Sequence, residues 1–267
     1  MALKFLSLAS GSSGNCYFLG TEHYGFLFDV GISFKQIKQG LDNYHIGLEQ
    51  IMGAFVTHDH ADHIQAVGAV SEKYNIPVYA TQPVLDGIDC SRFVFKKKHF
   101  TRKSLEKNCA VQIKEFKITA FNVPHDASDC VGYLVEYDQQ KWVLATDVGC
   151  IDDEVRNYLL LANHLVIESN YDEEMLKAGN YPDILKERIT NGTGHLCNTE
   201  TAQFLATNFG SHLRNIWLCH LSKENNRPDI AYRTVREALL AKSVRVDEEV
   251  MLIPLERTNP SKMYILG

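Results

Sequence analysis

The residues best suited to chemistry lie in one short run, His58-Asp59-His60-Ala61-Asp62-His63. The run has the pattern H-x-H-x-D-H and follows an apolar stretch, residues 52–57, that is typical of a buried strand. Imidazole and carboxylate groups together suit zinc, manganese or iron, and a loop at a strand end can aim several side chains at one point. The alternative is a solvated polar turn rich in histidine, which would require this specific pattern to arise by chance. The run therefore predicts a metal site, for two ions.

A site for two ions needs more ligands than one loop can supply, and three residues elsewhere have the right type and setting. His125, Asp147 and His220 each come directly off the end of a predicted buried strand. Open α/β sheets usually gather their functional side chains at such strand ends. A single His or Asp in such a position is more often a structural residue whose hydrogen bonds are made within the fold. Joined to residues 58–63, they complete a set of metal ligands.

The elements that must position these residues alternate between apolar runs rich in β-branched and aromatic residues and helical patterns. Strands are predicted at residues 4–8, 16–19, 24–28, 53–57, 77–80, 117–122, 131–137, 141–145, 164–168, 216–219 and 251–254. Helices are predicted at residues 34–41, 64–74, 83–88, 153–160, 183–190, 199–209 and 229–242, the first capped by Ser33. A hairpin over residues 131–145 adds an antiparallel component. We therefore expect two sheets packed face to face with helices outside, rather than a parallel doubly wound sheet.

Length and composition fit an intracellular enzyme. With 267 residues and 45% apolar residues, the chain can bury the core of one large α/β domain, expected over residues 1–267. Lys4 interrupts the first apolar run, which favours a first strand over a signal peptide and predicts a cytoplasmic protein. The seven cysteines are odd in number and lack C-x-x-C spacing, so reduced buried thiols are expected.

The net charge of −6 does not favour an extended nucleic-acid surface, because phosphate contacts need clustered Lys and Arg. One stretch is locally basic and also aromatic, and contains Phe93, Phe95, Lys96, Lys97, Lys98, His99, Phe100, Arg102 and Lys103. Such a mixture could grip a phosphate backbone while stacking on bases. A solvated strand or loop face is the simpler interpretation, and we favour it.

The order of these motifs resembles the metallo-β-lactamase superfamily over nearly the whole chain. The resemblance implies an αββα sandwich of two mixed β-sheets with outer helices. It also implies two divalent ions, Zn or Mn with Fe also possible, and a bridging hydroxide as nucleophile. One ion would be held by His58, His60 and His125. The other would be held by Asp62, His63 and His220, with Asp147 bridging the two and Asp62 also orienting the nucleophile.

Asp29 lies in the turn Asp29-Val30-Gly31, which resembles the D-x-G turn of the superfamily. By that resemblance Asp29 would brace the histidine loop by hydrogen bonds. A plain turn residue is the alternative.

Glu168 ends the predicted strand 164–168, and His195 lies where a helix opens. The pair is similar to the Glu and His motifs of the transfer-RNA 3′-processing nucleases in the superfamily, in which it handles the leaving-group proton. This chain departs from that motif, since Leu196 and Cys197 stand where those enzymes carry a hydroxyl residue. We expect His195 to be a proton donor assisted by Glu168, with a helix-start residue as the alternative.

Among subfamilies, the chain is most similar to the bacterial YycJ/VicX metallohydrolases. The similarity rests on motifs spread along the chain, at residues 6–15, 57–63, 168–172 and 218–226. That family is regarded as exonuclease-like, which implies DNA as substrate. A β-CASP insertion cannot fit between Asp147 and His220, which leaves substrate binding to the core domain or to a homodimer. DNA-repair proteins as partners are expected from the resemblance alone. In the loop at residues 11–15, Ser12, Ser13 and Asn15 could bind a substrate phosphate, although an ordinary hairpin turn is equally compatible.

Two other classes of function stay open. A small-molecule hydrolase, such as a thioesterase or lactonase, could use the same fold and suits the acidic net charge. A metal-stabilised binding module without turnover is the third class. The complete ligand set and the candidate proton donor argue against this last class.

Overall fold

The computed structural model describes residues 1–94 and 101–267, which form two compact units. Unit 1 comprises Met1–Cys109, Ala127–Cys130 and Glu256–Gly267. Unit 2 comprises Ala110–Asp126 and Val131–Leu255. Within the described residues, each unit contains one seven-stranded sheet. A single domain over residues 1–267 stays a prediction.

Unit 1 contains the first six strands of the chain and the last. They are β1 (Leu3–Ala9), β2 (Cys16–Gly20), β3 (Gly25–Phe28), β4 (Ile51–Phe55), β5 (Val78–Thr81), β6 (Arg102–Leu105) and β14 (Tyr264–Leu266). Its helices are α1 (Phe34–Asp42), α2 (Ala61–Ile64), α3 (Val67–Tyr74) and α4 (Gln82–Cys90), with a 3-10 turn at Leu48–Gln50. The strand order is β14-β1-β2-β3-β4-β5-β6. Pairing is antiparallel from β14 to β3 and parallel from β3 to β6.

Unit 2 repeats this progression with the remaining strands. They are β7 (Ala110–Ile113), β8 (Phe116–Asn122), β9 (Val131–Tyr137), β10 (Gln140–Ala145), β11 (His164–Glu168), β12 (Asn215–Cys219) and β13 (Met251–Pro254). Its helices are α5 (Asp153–Leu159), α6 (Glu173–Ala178), α7 (Asp183–Thr190), α8 (Asn198–Thr207) and α9 (Pro228–Ala241). The strand order is β13-β12-β11-β10-β9-β8-β7, antiparallel from β7 to β10 and parallel from β10 to β13. Both sheets are therefore mixed.

Local sequence chemistry explains several element boundaries. Ser33 caps α1 through a capping box with Gln36, as predicted. Asp138 and Gln139 both have positive φ, 44° and 64°, which gives the tight turn of the predicted hairpin between β9 and β10. β2, β3 and β11 are buried at every residue, as expected for continuous apolar runs inside a sheet.

The helix predicted over residues 64–74 is wrong in its boundaries, because the chain forms α2 and α3 instead. Ala66 separates them and donates its backbone N–H to the carbonyl oxygen of Val30, 2.9 Å away. The segment therefore bonds to the turn after β3 and does not continue as one helix. Consequently Asp62 and His63 lie within a helical turn and not in a loop.

Five elements of the described residues were not predicted, namely β6, β7, β14, α6 and the 3-10 turn Leu48–Gln50. β6 and β7 contain no buried residue, and β14 is three residues long, so none of these strands carries a strong apolar pattern. The expectation of buried thiols is wrong for Cys90, Cys109 and Cys150, which are exposed. Among the helices of residues 1–94 and 101–267, none combines the length and apolarity needed to span a membrane.

Candidate metal centre

In unit 1, the predicted ligands follow β4 closely. His58 is fully buried, and His60 has extended backbone, φ −67° and ψ 149°, immediately before α2. Asp62 and His63 then lie in α2 itself. The ring centroid of His58 lies 4.6 Å from that of His60 and 4.0 Å from that of His63. The strand end and the following helical turn thus bring the three imidazoles together.

Asp29 and Thr57 hold two of these rings from behind. Asp29 Oδ2 lies 2.8 Å from His63 Nδ1, and Asp29 Oδ1 accepts a 2.9 Å bond from the Thr57 backbone N–H. Thr57 Oγ1 lies 3.0 Å from His58 Nδ1. Because the Nδ1 atoms of His58 and His63 are engaged, Nε2 is the nitrogen of each ring that can bind a metal. In His63 this atom also contacts Asn15 Nδ2, and a bound metal would replace that contact. These contacts supply the bracing predicted for Asp29.

The Asp29 carboxyl is fully buried, and burial raises its pKa above the ordinary value. The charge of His63 and the hydrogen bonds from His63 and Thr57 oppose that rise. The carboxylate therefore depends on its two partners to stay ionised inside the unit.

The loop at residues 11–15 is arranged around Asn15, which is fully buried. Asn15 Oδ1 accepts from the Gly11 backbone N–H at 2.9 Å, and Asn15 Nδ2 lies 3.0 Å from His63 Nε2. Ser12 and Ser13 are exposed. Asn15 therefore connects this loop to the histidine cluster, whereas the two hydroxyl groups face outward.

In unit 2, Glu168 ends β11 and is fully buried. Its Oε1 lies 2.9 Å from Nδ1 of both His195 and His220. Its Oε2 accepts backbone N–H bonds from Val148 at 2.8 Å and Leu196 at 3.2 Å. One carboxylate thus fixes both imidazoles, and each presents Nε2 on its other side.

This arrangement sets the charge of the Glu168–His195 pair. Burial favours the neutral carboxyl, but the His195 charge and hydrogen bonds from His195 and His220 outweigh it and lower the pKa of Glu168. Burial likewise disfavours the imidazolium, but the charge and hydrogen bond of Glu168 raise the pKa of His195 above its ordinary value. The His195 side chain is 21% exposed, so a protonated ring can be reached from outside.

His125, Asp147 and His220 follow β8, β10 and β12 respectively, as predicted. His125 Nδ1 lies 3.0 Å from the Gly194 carbonyl oxygen, and burial lowers the pKa of His125, which favours the neutral, metal-binding form. Asp147 Oδ1 lies 3.8 Å from His125 Nε2 and 3.3 Å from His220 Nδ1.

The donor set of unit 2 fits a divalent metal. One ligand atom from each of four side chains lies within 4.8 Å of the others, namely Asp147, Glu168, His195 and His220. Of these, Asp147 and His220 are the predicted ligands, whereas Glu168 and His195 are the pair predicted to handle a proton. Mixed imidazole and carboxylate donors are those that Zn, Mn and Fe accept.

Three contributors were not predicted as part of the site. Thr57 joins Asp29 to the histidines, and Asn170 donates from Nδ2 to the His220 carbonyl oxygen at 2.8 Å. Thr57 and Asn170 lie within the family motifs at residues 57–63 and 168–172, and these motifs could have indicated their role. The Gly194 carbonyl, in contrast, carries no side-chain signal at all.

Comparison with known proteins places the chain in a family. A family model described as a beta-lactamase superfamily domain matches residues 25–211. The chain belongs to the beta-lactamase superfamily.

Two relatives named exodeoxyribonucleases match most of the chain. Exodeoxyribonuclease YycJ of Bacillus anthracis is 31% identical over 274 residues, covering 98% of this chain and 99% of the relative. Exodeoxyribonuclease WalJ of Streptococcus pneumoniae (strain D39) is 33% identical over 235 residues, covering 88% and 87%. The predicted resemblance is confirmed, and this superfamily member is a metal-dependent hydrolase.

A solved structure supports the fold. The metallo-β-lactamase fold protein YhfI from Bacillus subtilis matches with a TM-score of 0.73 at 14% identity, covering 98% of this chain and 99% of that chain. The predicted fold class is therefore confirmed.

The basic and aromatic stretch is only partly described. Phe95, Lys96, Lys97, Lys98, His99 and Phe100 lie outside the described residues. Arg102 is in β6, and its Nη2 lies 2.6 Å from Asp89 Oδ1. Phe93 is 47% exposed.

Proposed function

We propose that this superfamily member is a dinuclear-metal phosphodiesterase that digests DNA from its ends. The Glu168–His195 pair carries the proposal. The departing alkoxide of a phosphodiester is a poor leaving group and benefits from a proton. His195 is held at Nδ1 by Glu168 and is partly exposed, so it can deliver that proton from Nε2. The two relatives named exodeoxyribonucleases support DNA as the substrate.

We assign metal binding to the seven side chains implied by the family resemblance: His58, His60, Asp62, His63, His125, Asp147 and His220. In each unit the imidazoles held at Nδ1 fit this assignment, because a neutral ring binds metal through its other nitrogen. Two bound divalent ions, Zn or Mn with Fe also possible, would activate water and offset charge on the phosphate.

The remaining steps belong to the residues of the chain. Asp62 would orient the attacking water, and Glu168 would stabilise the imidazolium of His195 until it gives up its proton. Ser12 and Ser13 would bind a substrate phosphate, since both are exposed. Asn15 would hold their loop through Gly11 and His63.

The test is digestion of end-labelled duplex DNA by protein loaded with Mn²⁺ or Zn²⁺. We expect metal-dependent loss of terminal nucleotides, abolished by a chelator and by Asp62→Ala, which should also weaken metal binding. Asp42→Ala is the matched control, because Asp42 is an exposed carboxylate that pairs with Lys38 on α1.

Failure to cleave DNA would change the proposed substrate class. If metal-loaded protein cleaves neither DNA nor RNA, the phosphodiesterase proposal is wrong and thioester or lactone substrates should be assayed. Cleavage of RNA alone would overturn DNA as the substrate. The net charge of −6 is the observation that favours a small-molecule substrate.

A further inference from the structure

Unit 1 contains an open cavity beside the proposed ligand His60. Its volume is about 620 Å³, enough for a nucleotide-sized ligand. Its lining includes Asp59, His60, Asp86, Cys90, Arg92 and Phe93. The mechanism proposed above uses only His60 from this set, so most of the lining has no assigned role.

An exposed aromatic ring and a cation lie together in the lining of this cavity. Phe93 is 47% exposed, and the Arg92 guanidinium carbon lies 5.0 Å from the centroid of the Phe93 ring. An exposed aromatic ring beside a cavity offers a face on which a nucleobase can stack. Among the residues that the structure describes, Arg92 makes no ion pair, so its charge is available to a ligand.

The position of Phe93 is fixed by the chain on both sides. Ser91 ends α4 by donating its backbone N–H to the Gly87 carbonyl oxygen at 2.9 Å, and Ser91 Oγ accepts from the Phe93 N–H at 3.2 Å. Val94 is buried in the apolar core of unit 1. The hydrogen bond to Ser91 and the burial of Val94 therefore fix the chain on both sides of Phe93 and keep its ring exposed.

The charged side chains that line the cavity determine which part of a nucleotide can bind there, the base or the phosphate. Asp59 accepts hydrogen bonds from the backbone and hydroxyl of Ser128, at 3.2 and 2.6 Å, and Asp86 accepts from Gln82. These carboxylates would repel a phosphate but tolerate a neutral base. Arg92 is the cation of the lining suited to the phosphate.

We propose that this cavity, which we call the base pocket, receives an unpaired nucleobase from the DNA end. The inference rests on the proposed function. The base stacks on Phe93, while Arg92 contacts the adjoining phosphate. Base–aromatic stacking is tolerant of sequence and requires a base that is free of its duplex partner. The substrate is therefore a single-stranded or frayed end, and duplexes with single-stranded tails should be digested faster than blunt ones.

The chain carries its own reporters for a test that needs no turnover. Cys90 lines the base pocket and is exposed, whereas Cys109 is exposed and is not among the pocket residues. The experiment measures the rates at which iodoacetamide alkylates both thiols in EDTA, with and without a saturating ten-nucleotide single-stranded DNA. We expect the oligonucleotide to slow alkylation of Cys90 at least about 5-fold and to leave Cys109 unchanged.

Variants at the ring test stacking directly. Phe93→Ala should abolish the protection of Cys90 and raise the Kd of the oligonucleotide, measured by anisotropy, by about 5- to 150-fold. Phe93→Tyr should keep both the protection of Cys90 and the Kd of the oligonucleotide near their original values. Ile184→Ala is the matched control, since Ile184 is 80% exposed and lies in unit 2. Phe93 is half-exposed, so its removal should leave the melting temperature nearly unchanged.

The two proposals fail separately. If DNA is digested but Cys90 is not protected, or protection persists in Phe93→Ala, the base pocket is wrong and the phosphodiesterase assignment stands. If Cys90 is protected in a Phe93-dependent way but no metal supports cleavage, the binding site stands and the proposed activity is wrong.

Discussion

At the scale of single residues, Glu168 links two functions in unit 2. Its Oε1 contacts both the proposed metal ligand His220 and the proposed proton donor His195. Its Oε2 accepts hydrogen bonds from two backbone N–H groups. These bonds fix the carboxylate, so it cannot rotate toward one of the two histidines and away from the other. Orientation of the proposed metal ligand and protonation of the proposed donor therefore depend on the same side chain.

Substitution of the two residues should separate these roles. His195→Ala should retain metal and slow cleavage by about 10²–10⁴-fold, because a general acid contributes that much. Glu168→Gln should also weaken metal binding, by about 10- to 100-fold, because it releases His220. The measurements are kcat and metal content per chain. His212→Ala is the control, since His212 is exposed and contacts the Leu160 carbonyl. Unchanged kcat in His195→Ala would remove its assignment as proton donor.

At the scale of elements, two turns of the same sequence adjoin the proposed ligands. Asp29-Val30-Gly31 follows β3 and Asp147-Val148-Gly149 follows β10, the strands at which each sheet changes from antiparallel to parallel pairing. Both aspartates have left-handed backbone, with φ of 56° and 54°. Aspartate tolerates that conformation better than most residues, which allows a carboxylate at a sharp strand end.

Gly31 allows the histidine segment to approach the first of these turns. A Cβ atom at Gly31 would lie 1.5 Å from the carbonyl oxygen of Asp62, which is backbone and cannot move aside alone. Gly31→Ala should therefore displace α2, abolish metal binding and lower the free energy of unfolding by at least about 3 kcal/mol.

Urea unfolding and metal titration of Gly31→Ala would check this expectation. Gly192→Ala is the matched control, because Gly192 has φ of 62° but a Cβ atom there would have no neighbouring atom within 4 Å. It should cost only about 1–2 kcal/mol of backbone strain and bind metal normally. Equal effects of the two substitutions would contradict the close-approach argument.

A second element-scale feature joins the starts of three strands in unit 2. His164 in β11 is buried, with Nε2 2.9 Å from Gln140 Oε1 in β10 and Nδ1 2.7 Å from Asn215 Nδ2 in β12. The Asn215 amide donates to Nδ1, so the neutral ring with its proton on Nε2 fits both bonds. Burial, aided by the charge of Arg214, lowers the pKa of His164 to about 4.

This shift predicts a loss of stability in mild acid. The unfolded chain binds a proton at His164 with a pKa near 6.5, whereas the folded chain does not until about pH 4. Stability from this group is therefore full above pH 6.5 and falls by up to about 3 kcal/mol as the pH drops to 4. His164→Gln should show a shallower fall in urea unfolding over that range. Parallel pH profiles for the two proteins would contradict the assignment.

At the scale of the whole molecule, the positions of the proposed ligands after the strands could be predicted because their pattern is local. The run at residues 58–63 and the residues after β8, β10 and β12 are set by strand ends, which apolar runs in the sequence reveal. The edge strands β6 and β14 could not be predicted, because they depend on pairing with β5 and β1 across long separations. The contact between Asn15 and His63 likewise exists only after the loop and α2 come together.

The charge of the chain makes a final prediction about DNA binding. The chain has 27 Lys and Arg against 33 Asp and Glu, and several of these cations are paired with carboxylates: Lys107, Lys117, Arg102, Arg188, Arg227 and Arg245. Among the described residues that line the base pocket, Arg92 is the single Lys or Arg, so one or two phosphate contacts are expected there. For single-stranded DNA, that number predicts affinity only about 3- to 7-fold weaker at 200 mM than at 50 mM salt.

Anisotropy of a labelled single-stranded oligonucleotide on chelated protein, measured across this salt range, tests the expectation. Arg92→Ala should remove about one phosphate contact and flatten the salt dependence, whereas Arg227→Ala should not, because Arg227 is already paired with Asp229. A loss of affinity greater than about 100-fold would indicate about five or more contacts. The basic run at Lys96, Lys97 and Lys98 would then be the segment to neutralise, and binding would be governed by the phosphate backbone and not by stacking of a base on Phe93.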